Sequence, residues 1–175
     1  MPDRTPFSHA LLAPGPAAAF GEKLALYAFL IGSWEYDAIY HFDPEHPRHT
    51  SGEIHASWVL EGRAIQDVWI VPGLHLPRAA TPEPGDYYGT TLRVYDPVLD
   101  AWHILWSDPL TRTFRRQLGR ACDSGIVQEG DDGDGTRSRW SFSEITGNAF
   151  RWTGEYSTDD GAHWTLLADF HAQRR

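Results

Sequence analysis

The chain has 175 residues, a net charge of −9 and a single cysteine, Cys122. A domain of this length buries about 70% of the surface its unfolded chain exposes, so it needs no disulfide or metal staple. The acidic balance argues against nucleic acid and anionic membrane surfaces as partners, since both are held through clustered Lys and Arg, and one cysteine excludes an intrachain disulfide or a multi-cysteine metal centre.

Residues 1–16 carry four prolines and no hydrophobic period, and they read as a loose N-terminal arm. Pro14-Gly15-Pro16 interrupts the apolar run Ala10 to Ala13, and Asp3 stands where a secretory leader would carry basic residues, so a cytoplasmic protein is expected. No uncharged apolar run approaches the roughly 18 residues of a membrane helix. From Ala17 to Leu30, Phe20, Leu24, Tyr27 and Ile31 recur at steps of three and four, which predicts an amphipathic helix ending at Gly32.

Beyond Gly32 the period becomes two. Trp34, Tyr36, Ala38, Tyr40 and Phe42 share one face of a first strand, and Ile54, Ala56, Trp58 and Leu60 share a face of a second. A third runs from Ala64 to Val71 with Ile65, Asp67 and Trp69 on one side. Residues 72–86 form the longest connection, rich in proline, and are a candidate rim loop or lid. Tyr87 to Tyr95 is a fourth strand and Ala101 to Asp108 a fifth, with Trp102, Ile104 and Trp106 on one face. Five shorter strands follow: Phe114 to Arg120, Ile126 to Glu129, Arg137 to Ile145, Phe150 to Tyr156 and Trp164 to Phe170.

Ten short strands joined mostly by tight turns must run antiparallel, and they hide their edges by closing. The predicted fold is all-β: an antiparallel up-and-down barrel of about ten strands, with one N-terminal capping helix, spanning 17–175 as a single domain. A two-sheet sandwich is the competing arrangement.

Phe29-Leu30-Ile31-Gly32-Ser33-Trp34 resembles the glycine-x-tryptophan signature that opens the first strand of calycin barrels, the lipocalins and fatty-acid-binding-like proteins. Leu60-Glu61-Gly62-Arg63, Tyr95-Asp96 and Trp106-Ser107-Asp108 resemble steps in a bacterial group of uncharacterised proteins labelled DUF1579. The resemblance spans about Leu24 to Asp108, implies a calycin-like barrel with Trp34 turned inward, and implies no activity. The nitrobindin family, ten-stranded haem barrels, shares the helix-glycine-x-tryptophan opening. That resemblance implies haem held by a histidine near the C-terminus, a role His171 would take, although Tyr36 and Ala38 replace that family's glycines. His171 also alternates with Leu166, Ala168 and Phe170, which turns it to water if that set is internal.

With Trp34 inside, Tyr36 and Tyr40 follow, and taking the more aromatic face of each strand as internal adds Trp58, Trp69, Trp106, Phe142 and Trp152 as ligand-binding candidates. Asp67, Asp108 and Glu144 ride on the same faces. A carboxylate desolvated among rings titrates near neutrality unless donors or a cation compensate it, so Asp67 and Glu144 are the candidate catalytic acid/base residues, with Asp67 the best polar handle. Arg93 and His103 read as solvent-facing neighbours, and Arg112, Arg115, Arg116 and Arg120 as a solvated basic face, with the framing of an anionic ligand group as the alternative. A one-residue slip would invert any of these assignments.

No histidine pair has metal-ligand spacing on a strand or helix, so no metal is expected. Asp131-Asp132-Gly133-Asp134-Gly135 opens like a calcium loop but lacks the closing glutamate, with Phe142 in its place. Ser157 to Trp164 matches most of an Asp-box and reads as a hairpin turn. The expected function is binding of a small hydrophobic or aromatic molecule inside the barrel. A lipocalin-like cyclase, isomerase or lyase is the first alternative and a haem barrel through His171 the second. An exposed Trp-rich face would also pair two copies as a homodimer.

Overall fold

The computed structural model describes residues 5–79 and 81–175. Residues 1–4 of the arm and residue 80 of the long loop lie outside the described set. Ten antiparallel strands form one closed barrel: β1 (Gly32–Tyr40), β2 (Arg48–Val59), β3 (Ala64–Val71), β4 (Tyr87–Asp96), β5 (Ala101–Asp108), β6 (Thr113–Cys122), β7 (Gly125–Asp131), β8 (Arg137–Ser143), β9 (Ala149–Ser157) and β10 (Thr165–Arg174). Each strand pairs with its sequence neighbours and β1 pairs with β10, so no edge is left open.

The arm carries a six-residue helix, α1 (Pro6–Leu11), capped by Thr5, and Leu12 bridges Val59 at the end of β2. The segment predicted as an amphipathic α-helix is instead a 3-10 helix over Ala18–Leu30, interrupted at Gly21, where φ is 51°. Its buried residues are Leu24, Tyr27 and Leu30, a spacing of three that matches the three residues per turn of a 3-10 helix. This face plugs one end of the barrel. Tyr27 packs edge to face on Trp102 with ring centroids 5.0 Å apart, and its hydroxyl donates to Gln128 Oε1 at 3.2 Å.

Gly32 takes a φ of 121°, which turns the chain from helix to strand. Trp34 follows, fully buried. Its indole N–H donates to the Leu30 carbonyl at 2.9 Å and its ring meets Phe150 edge to face at 4.8 Å. Arg174, its cross-strand partner, lies over the Trp34 ring and donates to the carbonyls of Ile31, Phe29 and Gly147, which satisfies acceptors left free at the helix end.

Four inner-face glycines make room for rings on the wall. Gly52 faces Tyr36, Gly89 faces Trp106, Gly119 faces Tyr27 and Gly154 faces Trp140, each so closely that an added Cβ would overlap the aromatic side chain. Replacing Gly154 with Val is therefore expected to push Trp140 off the wall and destabilise the fold by about 1–3 kcal/mol, the usual cost of overpacking. Urea denaturation measures the loss, and a changed near-ultraviolet circular dichroism spectrum reports the displaced indole.

Candidate functional site: a cavity with one aromatic and one polar wall

The end opposite the plug is hollow. A cavity of about 250 Å³ opens there, under the loops that follow β1, β3 and β5. The walls differ in character around the barrel. Strands β8, β9, β10, β1 and, beyond β2, β3 give Trp140, Trp152, Phe170, Tyr40 and Trp69, while β4 to β7 give the more polar set Tyr87, Thr91, Arg93, Ile104, Trp106, Asp108, Thr113, Arg115, Gln117 and Gln128. On the aromatic side Trp152 is central. Its ring stacks on Trp140 at 4.1 Å and 22°, and lies 4.3 Å from Trp69 and 4.7 Å from Phe170.

Of the residues expected to bind a ligand, Tyr40, Trp69, Trp106 and Trp152 line this cavity. Trp34, Tyr36, Trp58 and Phe142 face inward as expected but lie outside its lining, among the buried rings of the core. Tyr36 stands behind Tyr87, and the two hydroxyls share a hydrogen bond of 2.7 Å. Burial pushes the hydroxyls of Tyr36, Tyr40 and Tyr87 well above their ordinary range, so all three stay neutral near neutral pH.

Asp67 is inward and 1% exposed, and it sits beneath the cavity rather than in its lining. Its oxygens accept from the Thr91 backbone N–H at 3.1 Å and from the Arg93 guanidinium in a tight ion pair. Arg93 therefore corrects the sequence reading: it is buried to 1% on the inner face, while His103 lies on the outer face and meets Asp96 at 3.0 Å. Arg93 was read as exposed by assigning it to the outward parity of its strand, whereas it shares the inner face with Tyr87 and Thr91. A carboxylate on the adjacent strand compensates its charge there. The guanidinium also lies 5.3 Å from the Tyr27 ring centre and 6.0 Å from that of Phe142.

Glu144 is likewise corrected. Strand β8 ends at Ser143, Glu144 takes a left-handed φ of 53°, and its side chain is 67% exposed beside Arg151 at 3.7 Å. The turn thus breaks the alternation that would have carried it inward. His171 points outward, 57% exposed, with Asp169 at 3.5 Å, so it offers nothing to the cavity. Arg115, read as part of a solvated basic face, reaches the cavity, and its Nε lies 3.4 Å from Asp132.

The remaining carboxylates of the lining are occupied. Asp108 accepts from Leu110 N–H at 2.8 Å and the Thr111 hydroxyl at 2.6 Å, which makes it the cap of the β5–β6 turn. Asp86 pairs with Arg48 at 2.6 Å and accepts from Glu83 N–H. The Asp-box segment is a local turn in which Asp159 accepts from Ser157 and His163, and among the described residues no cluster of His, Cys, Asp and Glu is arranged to hold a metal.

Four residues that line this space carry a buried polar atom with no hydrogen-bond partner among the described residues: Trp69 Nε1, Trp152 Nε1, Arg93 Nε and the Tyr40 hydroxyl. A buried donor left unpaired costs about 1–3 kcal/mol. Their grouping in one cavity was not legible from sequence, because alternation gives the face of a residue and not its hydrogen bonds.

The rim loop is tied down at both ends. Glu53, buried on the outer face of β2, accepts from Leu74 N–H, from His55 Nε2 at 3.2 Å and from Arg175 at 3.2 Å. At the other end Arg48 reaches Asp86, Glu83 and the Pro84 carbonyl. Gly85 and Asp86 of this loop line the cavity.

A closed, ten-stranded antiparallel barrel with a helix in one end and a cavity in the other defines a calycin-like barrel. No family model matches the chain, and no curated protein matches it. Solved structures do, two of them as follows. The S-type phycobiliprotein lyase CPES from Guillardia theta is 12% identical, with a TM-score of 0.58 over 86% of this chain and 91% of that one. Rv2717c from M. tuberculosis is also 12% identical, with a TM-score of 0.57 over 94% of this chain and 99% of that one. At that identity the likeness establishes the fold.

Burial raises the Glu53 pKa, but the Leu74 amide, His55 and Arg175 outweigh it and hold the carboxylate below its ordinary value of 4.5. The anchoring it supplies is then present above that value and lost as pH falls through the depressed one. Hydrogen exchange of the amides near Leu74 is expected to accelerate on acidification, and Glu53→Ala to show the same loss of protection already at neutral pH.

Proposed function

We propose that this protein binds a small planar aromatic or conjugated molecule in the barrel cavity, its rings laid against Trp152, Trp69 and Trp140. The observation that carries this reading is the aromatic wall itself: three indoles and Phe170 meet around an open space, where a packed core would interlock them without a gap. A dry cavity of about 150 Å³ accommodates benzene, so 250 Å³ suits roughly ten to fifteen heavy atoms. The likeness to a phycobiliprotein lyase supports a conjugated, bilin-like kind of ligand, and this much space encloses only part of a molecule as large as a bilin.

Binding, rather than acid/base chemistry, is the reading favoured because Asp67, Asp86 and Asp108 are all engaged by donors or cations. Asp67 acts in this view as the partner that keeps Arg93 in place, and Glu144 takes no part.

Calorimetric titration with naphthalene and with coumarin tests the proposal. At least one of the two is expected to bind with one molecule per chain, and Trp152→Ala to weaken that binding about tenfold through lost stacking. Absence of binding by both would refute it.

A further inference from the structure

The geometry points to a ligand that is uncharged and carries several hydrogen-bond acceptor oxygens, such as a carbonyl-substituted ring system, rather than an anion or a plain hydrocarbon. The inference rests on the ring-binding reading above and adds the chemistry of the ring's substituents.

Two features of the cavity support it. The first is the imbalance of donors and acceptors. Trp69 Nε1, Trp152 Nε1 and Arg93 Nε can only donate, and all three are buried without a partner among the described residues. The neutral Tyr40 hydroxyl joins them, kept protonated by its burial. The lining carboxylates and Gln128 Oε1, by contrast, already accept. Asp108 is filled by turn donors, Asp86 by Arg48, and Gln128 Oε1 by the Tyr27 hydroxyl. The empty positions in this site therefore call for acceptors.

The second feature is the balance of charge. Arg93 is matched by Asp67, Arg115 by Asp132, and Arg48 by Asp86 and Glu83. An anionic ligand would lose its hydration and meet no uncompensated cation among the described lining residues, and it would also lie near Asp108. A neutral carbonyl oxygen gives up far less hydration on burial. It can accept from the Arg93 Nε–H without disturbing the ion pair made by the other end of the guanidinium.

Three probes of similar size separate the alternatives: coumarin, with neutral carbonyl and ring oxygens; naphthalene, with none; and 2-naphthoate, with a carboxylate. Calorimetry is expected to show coumarin binding at least tenfold more tightly than either of the others. Trp69→Phe and Trp152→Phe keep a ring and remove the N–H, and Arg93→Lys keeps a cation for Asp67 while removing Nε–H. Each is expected to weaken coumarin about fivefold more than it weakens naphthalene, the worth of one hydrogen bond, with any lost stacking area common to both probes. If 2-naphthoate or naphthalene binds as tightly as coumarin, or if both Phe variants bind coumarin like the parent, this inference is overturned while the ring-binding reading stands. If none of the three binds, both fall together.

Discussion

The depth of the cavity is set by one ion pair. Asp67 and Arg93, on adjacent strands and both almost fully buried, cannot be moved toward water or separated without leaving a charge uncompensated in a medium of low polarity. The Thr91 amide completes the carboxylate, and the rings of Tyr27 and Phe142 lie against the guanidinium. Everything on the plug side is packed ring against ring. On the open side the same guanidinium becomes the floor of a cavity. Hydrophobic residues of equal volume would fill the position at no loss of stability, so the contribution of the pair is a polar floor, and that floor decides what chemistry the cavity can recognise.

Most of the fold was legible in the sequence because each strand is short, alternates strictly and ends in a turn with a physical cause. The third and fifth strands run over the predicted residues, and the inward set Ile65, Asp67 and Trp69 follows from alternation alone. The helix differs for an identifiable reason. Leu24, Tyr27 and Leu30 stand three apart, a spacing compatible with both an α-helix and a 3-10 helix, and Gly21 breaks the segment early. Glu144 was misplaced because extending the alternation one residue past Ser143 ignores the left-handed turn that follows.

The candidate site was only half legible, and the missing half has a geometric origin. Period two tells which face a side chain occupies, whereas its height along the barrel axis depends on strand tilt and register. Trp34 and Trp69 therefore carry the same sequence signal, yet one belongs to the plug and the other lines the cavity. Arg93 was missed for a related reason. Its burial depends on the register that sets Asp67 opposite Thr91, a relation between strands that neither strand encodes by itself. The structural neighbours share the frame at 12% identity. The inner wall of this chain divides into an aromatic side and a more polar side.

The two anchors of the rim loop differ in setting, and the difference has a kinetic meaning. Glu53 and Asp86 are both buried carboxylates, but at the cavity-side end Arg48 also makes a pair with the exposed Glu83. Added salt weakens exposed pairs far more than buried ones. For a ligand of the kind proposed, ionic strength therefore acts on how fast it passes the mouth, while the aromatic surface that would hold it is insulated from the surrounding electrolyte.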